Sequence, residues 1–233
     1  MNLIDVAILF LFAVCIVFAM YRGFLNAALK AGATLVSILA AFILHPFLSM
    51  ILGSNGMMTS LVNYTEGAKK LADTANSALL VGGTGPEALS TLVDTSSLPM
   101  PFDRLTKGNL LGQSFGNRGL TTVGQYFDTT VAEASLNIIC FFILFLIIRL
   151  VLGVLINIMD YQSPFPVLIR HETAFAALGG FAQAFLLCYA LFFTTPLLLS
   201  VFNMPVLVEY FNGSLFANFF YKTNLFFLLL GGV

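Results

Sequence analysis

Four polar side chains interrupt the longest apolar stretches of this sequence: Lys30, Arg149, Asn157 and Gln183. An ionisable or amide group in hydrocarbon is costly. Such residues line a solute or ion path, pair with one another, or snorkel to the headgroups. Arg149, Gly153 and Asn157 recur at intervals of four and share one helix face. Lys30 shares a face with Asn26, Ala33, Ser37 and Ala41. Gln183 and Gly179 lie beside a third stripe, Ala176, Gly180, Ala184 and Cys188. These stripes predict helices that face one another, with Arg149 and Gln183 at similar depth. One reading makes Lys30, Arg149, Asn157 and Gln183 a polar path or pore. The preferred reading makes Ser37, Ala41, Ala176, Gly180 and Ala184 helix-packing positions, because small residues let backbones approach in lipid. Arg149 then snorkels to the headgroups.

Little else in the chain suggests chemistry. Asp5 is expected to cap the first helix near the membrane surface rather than to carry protons. His45 precedes Pro46, where a kink or helix exit is the ordinary outcome. With His45 and His171 the only two histidines, a histidine-based metal site is not expected. Cys15, Cys140 and Cys188 sit inside apolar runs and read as small buried residues. Gly82-Gly83-Thr84-Gly85-Pro86 lacks the lysine of a phosphate loop, and neither Gly-x-Ser-x-Gly nor His-Glu-x-x-His occurs. Asn63-Tyr64-Thr65 and Asn212-Gly213-Ser214 fit a glycosylation pattern that is common by chance. No catalytic, cofactor-binding or metal residue is predicted, and no enzyme.

The elements that must position these residues are membrane spans. Of 233 residues 59% are apolar and only 9% charged, against about 25% charged in soluble domains. Lipid must cover what charges do not. A net charge of −1 argues against nucleic acid as a partner. Apolar runs occupy 3–20, 27–52, about 131–159 and about 173–202, each able to supply the roughly 20 residues of a span. The first lacks the basic start and cleavage site of a signal peptide and reads as a retained helix. In the third, sixteen Leu, Ile, Val or Phe residues lie between Ile138 and Ile156. At about −0.3 to −0.6 kcal/mol each they outweigh the roughly +2.5 to +3.5 of Arg149. Insertion wins.

Residues 53–130 are polar. Met57, Leu61, Tyr64, Ala68, Leu71, Ala75 and Ala78 predict a surface helix ending at Gly82, and 87–93 a second short one. Leu98 to Pro101 is expected to be extended, and Gly108, Gly112, Gly116, Gly119 and Gly124 to keep the next stretch loose. Asp128-Thr129-Thr130 with Glu133 offers a capping box for the third span. Residues 204–233 read as an extracytoplasmic or interfacial tail, with 215–233 the less favoured candidate for a fifth span. Arg22, Lys30 and Arg170 in the short connections put those connections in the cytoplasm and both termini outside.

The sequence resembles the CvpA family, the colicin V production proteins of bacteria. The likeness runs through Leu3-Ile4-Asp5, the turn Tyr21-Arg22-Gly23-Phe24, the run Phe141 to Arg149, and Ala177-Leu178-Gly179-Gly180-Phe181-Ala182-Gln183-Ala184. It covers the four spans, about half the chain, and Ala19 and Ala184 stand where the family pattern has glycine. The resemblance implies a multi-pass protein of the bacterial cytoplasmic membrane, linked to colicin V production or export and to cell-envelope upkeep. Related segments occur fused to extracytoplasmic serine proteases. No catalytic or ligand residue is established for the family, so none is carried over.

The expectation is therefore an all-α membrane protein with four transmembrane helices and a long, partly helical extracytoplasmic loop. Its divisions are 1–52, 53–130, 131–203 and 204–233. It would be non-enzymatic, without a cofactor, and would act on the envelope through self-association or other envelope proteins as partners in the lipid bilayer. A small oligomeric channel or transporter is the alternative.

Overall fold

Asn2 and Asp5 start the chain's first helix with a reciprocal capping box. Asn2 Oδ1 accepts from Ile4 N, and Asp5 Oδ2 accepts from Asn2 N. The computed structural model describes residues 2–158, 171–201 and 205–230. Arg170, one of the three cations that set the expected orientation, lies outside them. Among the described residues the secondary structure is helical, with one isolated bridge between Leu80 and Thr122. Four helices among the described residues are long and apolar enough to cross a membrane. The chain is a multi-pass, all-α membrane protein.

The first span, α1 (Leu3–Arg22), is followed by α2 (Phe24–Leu52). Phe10, Val17, Leu39 and Ile43 remain exposed on them, as lipid-facing residues do. Helix α2 does not exit at His45-Pro46; it continues six residues beyond Pro46 to Leu52. Proline has no N–H for the Phe42 carbonyl four residues back. The His45 Nδ1 lies 2.9 Å from that carbonyl oxygen and supplies the missing donor. In hydrocarbon each backbone group needs such a partner.

Between the second and third spans lie α3 (Asn55–Thr65), α4 (Pro86–Asp94), α5 (Phe102–Leu111) and four short 3₁₀ helices. The expected long surface helix is shorter than its stripe: α3 stops at Glu66, whose φ of 45° is left-handed. Residues 68–78 form separate turns instead. Met100-Pro101 lies in a turn with a cis peptide rather than in extended chain. Helix α5 runs through Gly108, where a loose stretch was expected. Burial of Phe102, Leu105 and Leu110 outweighs the glycine's roughly 1 kcal/mol penalty. Leu71, Val81, Leu89, Val93, Leu110, Phe115 and Tyr126 form one hydrophobic cluster, so the polar region has a core of its own.

Helix α6 (Val123–Ile158) begins well before Asp128. Its capping box is Thr122 with Gln125: Gln125 Oε1 accepts from Thr122 N at 3.2 Å, and Thr122 Oγ1 accepts from Gln125 N at 3.4 Å. Asp128 is thereby freed to accept from Ala68 N at 2.8 Å. The fourth span comprises α7 (Glu172–Phe192) and α8 (Thr195–Val201). The described part of the tail forms α9 (Pro205–Asn212), α10 (Leu215–Lys222) and α11 (Phe226–Leu229), none long enough to cross a membrane by itself. Residues 231–233 of the fifth-span candidate lie outside the described residues.

Contacts divide the chain into two units. One comprises residues 1–45, 141–193 and 205–224. The other comprises 46–140, 194–204 and 225–233.

Candidate functional site

All the polar residues singled out in the spans belong to the first unit. The main pairing there is α1 with α7. Ala176 and Ala184 are fully buried and Cys188 nearly so. A Cβ built on Gly180 would lie 2.7 Å from both the Ala19 Cβ and the Cys15 carbonyl oxygen. The stripe on the fourth span therefore faces α1, where stripes on the second and third spans had been expected to meet it. Helical spacing defines a face but not its partner. Gly179, beside the stripe, is the residue that meets α2: its Cβ would stand 2.9 Å from that of Ala27.

Ser37 and Ala41 are buried on α2, and the Ser37 hydroxyl donates to the Ala33 carbonyl at 2.6 Å. On the same helix, buried Thr34 forms the contact that the spacing did not anticipate. Its Oγ1 donates to the Lys30 carbonyl at 2.8 Å and accepts from Arg149 Nε at 2.9 Å. The Arg149 Nη1 lies against Gly153, one turn toward the C-terminal end of α6, where a Cβ would stand 3.1 Å away. The guanidinium thus points along its own helix and ties α6 to α2. Lys30 Nζ sits 4.9 Å from the centroid of the Phe18 ring, and Arg22 approaches the same ring at 5.6 Å. Gln183 is half-buried on α7, and Asn157 is exposed. Of the four expected stripe residues, Lys30 and Arg149 are thus brought near one another by way of Thr34.

Asp5 is 1% exposed. Besides closing its own helix, its Oδ1 accepts from Ser214 Oγ at 2.6 Å and from Phe216 N at 3.1 Å. Ser214 is the N-cap of α10, accepting from Ala217 N at 3.0 Å. One carboxylate thus serves the positive ends of two helices. The Asn2 side-chain amide donates to the Tyr210 carbonyl. Farther along, Phe220 packs with Ile8 and Cys188, and Tyr189 Oη meets Thr223 Oγ1 at 3.0 Å. Residues 205–224 of the tail are docked on α1 and α7. Ser214 before an apolar run was the available signal for a helix start.

At the other end of α1, Tyr21 and Arg22 are exposed and Gly23 adopts φ 85°, ψ 166°. A Cβ there would lie 2.6 Å from Glu172 Oε1 at the start of α7.

The chain matches no family model, no curated protein and no solved structure.

Among the described residues no three His, Cys, Asp or Glu side chains cluster to hold a metal ion. Some polar groups of the spans join helices. Asp5 joins α1 to α10, Arg149 joins α6 to α2, and the Tyr21-Arg22-Gly23 turn brings α2 back beside α7.

Proposed function

We propose that this chain is a non-enzymatic membrane protein of the colicin V production type. It acts in toxin production or export, or in envelope maintenance, through self-association or binding of other envelope proteins. The supporting observation is that Asp5, Gly23, Arg149 and Gly180, which carry the resemblance, all lie at helix–helix contacts. Residues spent on holding helices together suit a scaffold. In this reading the protein sits in the bacterial cytoplasmic membrane with both termini and residues 53–130 outside.

The test is complementation. A colicin V-producing bacterium lacking its own family member should regain toxin release when it expresses this chain, and should not when it expresses Gly180→Leu. Unrestored release with normal membrane expression of the chain would remove the reading. Reporter fusions at each terminus check the orientation independently.

The channel reading has one observation in its favour, an arginine and a threonine hydrogen-bonded within the spans. Flux through proteoliposomes that Arg149→Leu abolishes would move the assignment to that class.

A further inference from the structure

The second unit holds a cavity of about 780 Å³ that the function proposed above does not use. Ser49, Met58, Val62, Arg118, Glu133 and Asn137 are among the residues lining it. Its chemistry is concentrated in one ion pair, Arg118 Nη1 with Glu133 Oε1. The two partners differ in depth: the Glu133 side chain is 17% exposed and that of Arg118 51%. The cavity therefore has an anion inside and a cation nearer its mouth.

Neither group is saturated by the other. Glu133 Oε2 is buried and has no hydrogen-bond partner among the described residues. Buried carboxylate oxygens are ordinarily paired, so this one calls for a donor. The carboxylate torsion is soft, so Oε2 is free to reorient toward a donor. Arg118 is held over the ring of buried Phe115, 5.2 Å from its centroid, which fixes the guanidinium plane. A guanidinium has five N–H donors in a fork suited to oxyanions, and the pair with Glu133 uses only part of it. Asn137 adds a neutral amide within the same lining.

We propose that this cavity binds a phosphorylated primary amine, with the ammonium donating to Glu133 and the phosphate oxygens accepting from Arg118. The ligand's own charges then run antiparallel to the ion pair, and neither residue's charge is left uncompensated. A lone anion would be repelled by Glu133, and a lone amine by Arg118. A quaternary amine carries no N–H for Oε2. The shared chemistry is that of phosphoethanolamine, free in solution or as the headgroup of phosphatidylethanolamine.

The test uses the full chain purified in a mild maltoside detergent. Titration calorimetry compares O-phosphoethanolamine with phosphocholine. Mass spectrometry of protein released from nanodiscs of equal phosphatidylethanolamine, phosphatidylcholine and phosphatidylglycerol reads lipid selection. Selection of the primary amine over the choline analogue by tenfold or more, in either arm, supports the proposal. The arm that shows it identifies the source. Glu133→Gln and Arg118→Gln should each abolish that selection while eluting as the parent does. Equal binding of primary and quaternary amines in both arms overturns the proposal, as does undiminished selection in folded Glu133→Gln. If neither variant folds, the ligand comparison on the unaltered chain decides alone.

Discussion

Gly180 and Ala19 meet with no room for a side chain between them: a Cβ on Gly180 would stand 2.7 Å from that of Ala19. Close approach of this kind replaces the hydrophobic drive that helices lack in lipid. Gly180→Ala should therefore destabilise the protein by about 1–3 kcal/mol, the usual cost of overpacking, and Gly180→Leu by more. Phe181→Leu, next door on a side chain that is 49% exposed, should be tolerated. Thermal unfolding in detergent reads the difference, and equal tolerance of the two leucines would refute the packing.

Arg149 and Thr34 form a pair whose members should not behave independently. Thr34→Val removes the acceptor from a partly buried guanidinium and should cost about 1–3 kcal/mol. In an Arg149→Leu background the same change should cost much less, since no charged donor is left unpaired. A double-mutant cycle by denaturation in mixed micelles measures the coupling. Strict additivity would mean the hydrogen bond contributes nothing.

Gly23 has a φ and ψ that are almost exclusive to glycine. Gly23→Ala should cost about 1–3 kcal/mol from backbone strain. Trimming the neighbour with Glu172→Ala should not rescue it, because the strain remains in the main chain. Full recovery in the double variant would show that crowding by Glu172 is the only constraint.

Asp5→Ala should release α10 while leaving the four spans in the membrane. Amide exchange in residues 215–222 should become faster, and Ser214→Ala should reproduce much of the effect. Unchanged protection of that segment in Asp5→Ala would contradict the clamp.

The spans were legible because length and apolar composition decide insertion almost alone. The residues at their ends were not. Helix α6 starts at Val123 because Thr122 and Gln125 cap each other, whereas Asp128 with Glu133 looked the better box by residue type. The actual partners of Asp128 and Glu133 are Ala68 and Arg118, at sequence distances that no local pattern encodes. The small-residue stripe around Gly180 was visible as a stripe, but spacing could not tell α1 from α2 or α6. Thr34 escaped because a threonine in a span usually satisfies itself on its own helix. Here it does that and also receives a guanidinium. In the polar region, glycines suggested slack where the buried Phe102 and Leu110 impose helix.

His45 closes the gap that Pro46 opens in α2. A proline commonly gives a transmembrane helix a joint, since the orphaned carbonyl can trade partners as the two halves swing. The imidazole bond lies on the His45 side of the proline, so it satisfies the carbonyl without reaching the following turn. The imidazole thereby gives its Nδ1 a main-chain partner inside an apolar helix, which is what lets a histidine sit beside a proline in hydrocarbon.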